Sequence, residues 1–260
     1  METRQLLETG MLEEKLDVSG VREVEYSMRF LDERHMPQIM DLQEIIVNNL
    51  SRRDMLQAFS YDFMKKHISP QGFIIGVFVG KRMVAFRNVY YPDSQDAEWN
   101  LGIDIGLPAM ELPGVANLQM VCVHPAFRGN LLASKMNRHA LRLLKEKNTH
   151  HHICATVSPY NFWNVRILLQ SGFVIKKLKD KYGGKIRYVV YQNLKKPMQF
   201  EVETSASARL NDIEEQKKLF NTGLCGVALE QIASLDCTPR DALAGCFNVL
   251  FKKLKSDHER

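Results

Sequence analysis

Between Val115 and Phe173 the chain alternates short apolar runs with amphipathic segments, and that alternation restricts the fold more than any other feature. "VANLQMVCVHP" is strand-like, and its continuous apolar centre "MVCV" suits a strand buried on both faces. A helix follows from about Gly129 to Lys147, with Leu132, Met136, Ala140 and Leu143 on one face. "HICATVSP" reads as another buried strand. "NFWNVRILLQSGF" reads as a helix stopped by Gly172 in a left-handed C-terminal cap. Strands alternating with helices imply an α/β unit with a mostly parallel sheet. Ligands in such folds bind beyond the carboxyl ends of the strands.

The flanking sequence extends the pattern. Residues 1–24 mix charged and apolar positions and suit a short helix through Leu6, Leu7, Met11 and Leu12. "VEYSMRFLD" turns to strand. "MPQIMDLQEIIVNNL" is helical, with Pro37 at the first helical position and a stripe of Ile39, Leu42, Ile46 and Leu50. "DMLQAFSYDFMKKH" reads as a second helix. "GFIIGVFVGKRMVAFRNVYYP" reads as two strands joined at Gly80-Lys81, and "VIKKLKDKYGGKIRYVVYQNL" as a hairpin turning at Gly183-Gly184. The connector 93–114 is long and rich in turn formers, a mark of functional loops. After Pro197 the composition shifts, and "TPRDALAGCFNVLFKKLK" has helix signals: Thr238 as cap, Pro239 next, Asp241 at the third position, and an apolar face of Leu243, Phe247, Leu250, Phe251 and Leu254.

At 260 residues and 45% hydrophobic, the chain is long enough to bury a core without disulfides. Its five cysteines (Cys122, Cys154, Cys225, Cys237, Cys246) have no metal or redox spacing, so a reduced compartment fits. The N-terminus lacks an apolar signal core, and the longest uncharged apolar run, "GFIIGVFVG", is too short to span a bilayer. The expectation is a soluble, cytoplasmic protein with no membrane partner. The net charge of +5 is mild, so it permits an anionic ligand without demanding nucleic acid.

The junction "VCVHPAFRGNLLASKM" carries the chemistry. It places Arg128, Gly129 and a helix N-terminus at the end of a strand, where unpaired N–H groups and the helix dipole favour a phosphate. "VHPAFRGNLLA" resembles the acyl-CoA pyrophosphate loop of the GCN5-related N-acetyltransferases (the GNAT superfamily). Arg128 takes the first motif position and Ala133 the last, while Leu131 replaces the middle glycine. "NFWNVRILLQSGF" resembles that family's second cofactor segment, with Asn161 and Gly172-Phe173 in the familiar spacing.

The resemblance covers roughly Val24 to Leu194. It implies a mixed, centrally parallel α/β sheet flanked by helices over residues 25–197, between an N-terminal extension (1–24) and a helical C-terminal extension (198–260). It further implies an N-acetyltransferase using acetyl-CoA and no metal. The main chain of Val121, Cys122 and Val123 would hold the pantetheine. Amides of Gly129, Asn130, Leu131, Leu132, Ala133 and Ser134 would hold the pyrophosphate, and Asn161 and Asn164 would line the second segment. The position of the family's tyrosine acid is Leu168, with Tyr160 nearby as a stand-in. Glu98 and Glu111 are the candidate bases, with Asp104 and His124 behind them. The acceptor implied is a small-molecule amine. Three alternatives remain open: a protein N-terminus or lysine as acceptor, an acyl-CoA-binding sensor or interaction module without catalysis, and a nucleic-acid-binding module using the basic hairpin.

Plainer roles stand beside these. Asn161 suits a helix cap. His150–His152 suit a solvated turn better than a metal site, because neighbours on an extended chain point to opposite sides. Cys122 suits a small core residue better than a nucleophile. The basic hairpin "KKLKDKYGGKIR" suits a solvated face, with contact to nucleic acid or to the CoA 3′-phosphate as the sharper role. Phe162 and Trp163 suit core packing or a cleft wall. The last apolar helix face suits docking on its own domain or a homodimer seam.

Overall fold

A computed structural model describes residues 6–16, 20–203, 205–232 and 240–255. Its elements, in chain order, are β1 (Leu6–Leu16), β2 (Gly20–Phe30), α1 (Met36–Asn48), α2 (Tyr61–Lys66), β3 (Gly72–Val79), β4 (Arg82–Tyr90), α3 (Leu101–Asp104), β5 (Val115–Val123) and α4 (Leu132–Lys147). Then come β6 (His152–Val157), α5 (Phe162–Gln170), β7 (Val174–Lys181), β8 (Lys185–Asn193), β9 (Ala206–Arg209), α6 (Ile213–Asn221), β10 (Cys225–Gln231) and β11 (Phe247–Lys252). The chain divides into two compact units, residues 1–92 with 116–149, and residues 93–115 with 150–260.

In the first unit the strands run in the order β1-β2-β3-β4-β5, every neighbouring pair antiparallel. The β3–β4 hairpin turns at Gly80, whose φ of 57° belongs to the left-handed region that glycine occupies without strain. Pro37 lies in the first turn of α1, which buries Ile39, Leu42 and Ile46 of the expected stripe together with Met36, while the expected Leu50 lies beyond its end and is only half-buried. On α4 the buried apolar positions are Leu132, Met136, Ala140 and Leu144, so the stripe ends one residue later than the expected Leu143.

Residues 6–16 are a strand rather than a helix. β1 pairs with β2 from Leu6↔Arg29 to Leu16↔Gly20 and buries Leu12 and Glu14 at a spacing of two. The four-residue spacing of Leu7 and Met11 is incidental to that pairing. The second expected helix is also shorter. Only Tyr61–Lys66 is α-helical, begun by Ser60, whose side chain accepts from the Phe63 N–H, and Asp54 and Met55 fall in a separate 3-10 turn.

In the second unit the order is β6-β8-β7-β10-β11-β9, again antiparallel at each described pair. Gly183 and Gly184 both have positive φ at the β7–β8 turn. Gly172 (φ 88°) ends α5, with the Phe173 N–H reaching back to Leu168 O at 3.1 Å.

The segment after Pro197 is not a helical extension. Its described residues form three strands, the helix α6 and a 3-10 helix over Arg240–Cys246, and β10 joins β7 at Gly226↔Ile175. Phe247–Lys252 is a strand lying between β9 and β10, with Val249 and Phe251 fully buried. The expected helix face there reflects aromatic and branched residues that a central strand buries at period two. The proposed cap at Thr238 and Pro239, and Cys237, lie outside the described residues, as does the Asp241 side chain. Among the described residues no helix is long and apolar enough to cross a membrane. The cysteines described (Cys122, Cys154, Cys225, Cys246) are buried.

Candidate functional site

The motif junction lies wholly in the first unit. β5 ends at Val123, and the chain tightens into a 3-10 turn over Pro125–Phe127. The His124 N–H donates to Val84 O at 2.8 Å, and the fully buried Phe127 anchors the turn. Gly129 follows with φ 106°, where a side chain would strain the backbone, and α4 begins after Leu131. The first-turn amides have no carbonyl one turn back. No side chain caps this helix, and no carboxylate sits in its first turn. A Cβ at Gly129 would meet only Lys15 Nζ, at 3.8 Å, so the surface over the loop is open. An open cradle, uncapped amides and the positive helix end suit a phosphate group.

Leu131 adopts φ 57° and ψ 18°, the left-handed backbone that glycine at this motif position accommodates freely. Its side chain is 70% exposed, so packing does not hold it there. A left-handed residue with a Cβ costs about 1–2 kcal/mol, and the wider freedom of glycine in the unfolded chain returns part of that. Leu131→Gly is therefore expected to stabilise the protein by about 0.5–1 kcal/mol, read from urea unfolding midpoints. A loss of stability would contradict the left-handed assignment.

Asn130 is an anchor. Its Oδ1 accepts from the Glu13 N–H at 2.8 Å, and its Nδ2 donates to Glu13 O at 2.7 Å and Phe127 O at 3.0 Å. Its side chain thus binds the edge of β1, which leaves only its main chain for a cofactor. In the first turn of α4, Lys135 Nζ donates to Tyr26 Oη at 2.7 Å and lies 3.2 Å from Glu8 Oε1. Glu8 Oε2 meets His139 Nε2 at 2.7 Å. Burial alone would raise the Glu8 carboxyl, but hydrogen bonds from Tyr26, His139 and Lys135 overcome it and hold it down at about 2.

Cys122 is buried on β5, and burial pushes its thiol up to about 12, which removes it as a nucleophile. Val121 and Val123 are half-buried and pair with Arg87 and Ala85 of β4. His124 accepts from the Ala126 N–H at Nδ1 (3.2 Å), and its Nε2 lies 2.7 Å from Arg82 Nη2. Burial and Arg82 lower its pKa.

The remaining candidates lie in the second unit. Glu98 is exposed, and its main-chain oxygen accepts from Lys181 Nζ at 2.6 Å. Asp104 is buried and ion-paired with Lys179 and with Lys181 (2.8 Å), so it is committed to structure. Those two lysines belong to the basic hairpin, which is thus only partly a solvated face. Glu111 Oε2 lies 3.4 Å from His152 Nε2. His152 is buried, with Nδ1 at 2.8 Å from Tyr191 Oη, so the histidine run is not a solvated turn at this position. Burial and His151 lower its pKa and keep it neutral.

Tyr160 is half-buried beside Ser158, its N–H 3.4 Å from Ser158 Oγ. Asn161 caps α5, its Oδ1 accepting from the Asn164 N–H at 3.2 Å. Asn164 Oδ1 is buried without a hydrogen-bond partner. Leu168, at the expected tyrosine position, is a core residue. Phe162 packs against Phe247 with centroids 4.5 Å apart, whereas Trp163 is exposed. Sequence reasoning did not find Lys15 or the Glu13–Asn130 clasp. Their partners lie more than a hundred residues away, and no local pattern signals them.

No family model matches the chain, and no curated protein matches it. Solved structures do. An acetyltransferase of the GNAT family from Streptococcus pneumoniae matches at TM-score 0.50 and 13% identity, covering 65% of this chain and 99% of that one. The loading GNATL domain of CurA from Lyngbya majuscula matches at TM-score 0.51 and 14% identity, covering 65% of this chain and 98% of the other. At these identities the likeness is one of fold.

Proposed function

We propose that this chain, which has the fold of the GNAT acetyltransferases, is an acetyl-CoA-dependent N-acetyltransferase acting on a primary amine of a small molecule. The observation that carries this reading is the junction after β5, where Arg128, an open glycine and an uncapped helix N-terminus occur together. Acetyl-CoA, when bound, supplies an acetyl thioester from which an amine displaces the thiolate, the C–N bond forming as the C–S bond breaks.

The chain's own residues then divide the work. Arg128 and the amides of Gly129–Ser134 hold the pyrophosphate. Main-chain groups of Val121–Val123 orient the pantetheine, and Asn161 and Asn164 support the second segment. Glu98 and Glu111 are the carboxylates proposed to take the amine proton, directly or through water, and Tyr160 is the hydroxyl proposed to protonate the thiolate. The small-molecule acceptor is supported by the 93–115 segment, which is folded rather than loose. Buried Asn100 donates to Asp93 O and Leu112 O and accepts from the Gly102 N–H, so the segment is cross-linked by its own hydrogen bonds.

Leu168 favours a second reading, a module that binds acyl-CoA without transferring the acyl group, because a core leucine replaces the family's hydroxyl acid. One experiment separates the two. Acetyl-CoA or CoA at a hundred times its dissociation constant is expected to add about 2.7 kcal/mol, a rise in Tm of roughly 5–10 °C for a chain of this size. The same protein is then tested for thiol release over a panel of amines. A shift with release supports the enzyme, and a shift without release over the whole panel supports the module. No shift at millimolar ligand removes both.

A further inference from the structure

The N-terminal hairpin lies outside the loop motif, yet it touches the loop at two adjoining points. At the first, the Glu13 main chain clasps the Asn130 side chain through a donor and an acceptor. That clasp sets the register of β1 against the loop. Lys15 is two residues further along the strand, hence on the same side as Glu13. At the second point its ammonium lies 3.8 Å from where a Cβ of Gly129 would be.

Charge gives this position a meaning. Three nearby cations have carboxylate partners: Lys135 of α4 with Glu8, and Arg22 of β2 and Arg82 of β4 with Glu14. Among the described residues no carboxylate pairs with Lys15. Its ammonium lies beside Gly129, three residues before α4 begins, where the positive end of the helix disfavours a further cation unless an anion lies between them. Its side chain is exposed, so it is not held there by packing.

We propose that Lys15 binds a phosphate of acyl-CoA, as a cation that the N-terminal hairpin adds to the Arg128–Ser134 loop. The inference rests on the loop being the CoA-phosphate site. Both the pyrophosphate and the 3′-phosphate present the same chemistry to an ammonium, and the test distinguishes them.

The test is calorimetric titration of the full chain with CoA and with dephospho-CoA, which lacks the 3′-phosphate. Four proteins are compared: wild type, Lys15→Ala, Lys15→Arg, and Lys81→Ala as a charge control on the exposed β3–β4 turn. Lys15→Ala is expected to weaken CoA binding about tenfold, the effect of one charge-assisted contact. Lys15→Arg should retain most of the affinity, and Lys81→Ala all of it. A loss with both ligands assigns Lys15 to the pyrophosphate, and a loss with CoA alone assigns it to the 3′-phosphate; either supports the proposal. Lys15→Ala binding CoA as tightly as wild type overturns it. Wild type failing to bind CoA at all instead overturns the reading of the loop. Unliganded unfolding midpoints equal to wild type show that the exposed substitution leaves the fold intact.

Discussion

Replacing Asp104 with alanine is expected to cost about 3–5 kcal/mol of stability, the range for leaving a buried charge without its partner. The Asp104 side chain is 1% exposed and that of Lys181 is 6% exposed, while Lys179 reaches in from a more open position. The two lysines are two apart on β7 and so share a face, and both end on one carboxylate. Lys181 has one other described acceptor, the main-chain oxygen of Glu98. Without Asp104 its ammonium stays desolvated beside a single carbonyl. Urea unfolding of Asp104→Ala checks the magnitude. A companion variant carrying Asp104→Leu and Lys181→Met removes both buried charges, and most of the loss should return, because an apolar replacement of a buried pair is close to neutral. A cost below about 1 kcal/mol for the single change would mean that the pair is solvated. Asp104 would then re-enter the candidates for a base.

The second large effect is a loss of stability in acid centred on His67. This histidine is fully buried at the end of α2, and its ring lies 4.5 Å from Phe63 and 4.3 Å from Tyr90. Its Nδ1 lies 2.6 Å from Asn88 Nδ2, and its Nε2 is buried without a partner. Burial, reinforced by the Lys66 charge, lowers its pKa from 6.5 to about 3. The unfolded chain therefore binds more protons than the folded one between these values. Stability rises with pH across that window, and it is lost as pH falls from about 6.5 toward 3.

At about 1.4 kcal/mol per unit, His67 alone should remove about 3 kcal/mol by pH 4 relative to pH 7.5. His124, His151 and His152 also have lowered pKa values and act in the same direction. Glu8 and Asp32 are held down at about 2, and they add a further loss as pH falls below their unfolded values toward that point. His67→Gln keeps a hydrogen-bonding side chain for Asn88 but does not titrate. Its stability, measured by urea unfolding from pH 7.5 to 4, should fall about 3 kcal/mol less than that of wild type. An unchanged slope would mean that His67 is hydrated in the folded protein.

Local signals served this chain well wherever a turn or cap decided the outcome. Gly80, Gly172 and Gly183-Gly184 occupy the positive-φ positions that their places between apolar runs imply. Pro37 starts α1, and the strand–turn–helix around Arg128 lies where the sequence puts it. At the motif's middle position Leu131 replaces a glycine, and its backbone is left-handed there.

Two elements misled, and for one reason. Residues 6–16 and 247–252 contain apolar spacings that suit a helix, but each is a strand because a partner strand pairs with it. In β11 the pairing comes from both sides, and burial of Val249 and Phe251 outweighs helix propensity. Asp104 shows the same limit at a candidate site. As a residue type it suits a base, and only the lysines more than seventy positions away make it structural. Asn130 looked like a loop amide until β1 met its side chain.

From its own residues, the chain determined the strand–helix rhythm, the turn positions and the phosphate-suited junction after Val123, because those depend on backbone conformations that a few neighbouring residues dictate. The tertiary structure alone decided the partners of the β1 edge, the strand character of the C-terminal segment and which carboxylates are already paired. Those outcomes depend on hydrogen bonds and charges brought together across long separations, and no window of sequence contains both members of such a pair.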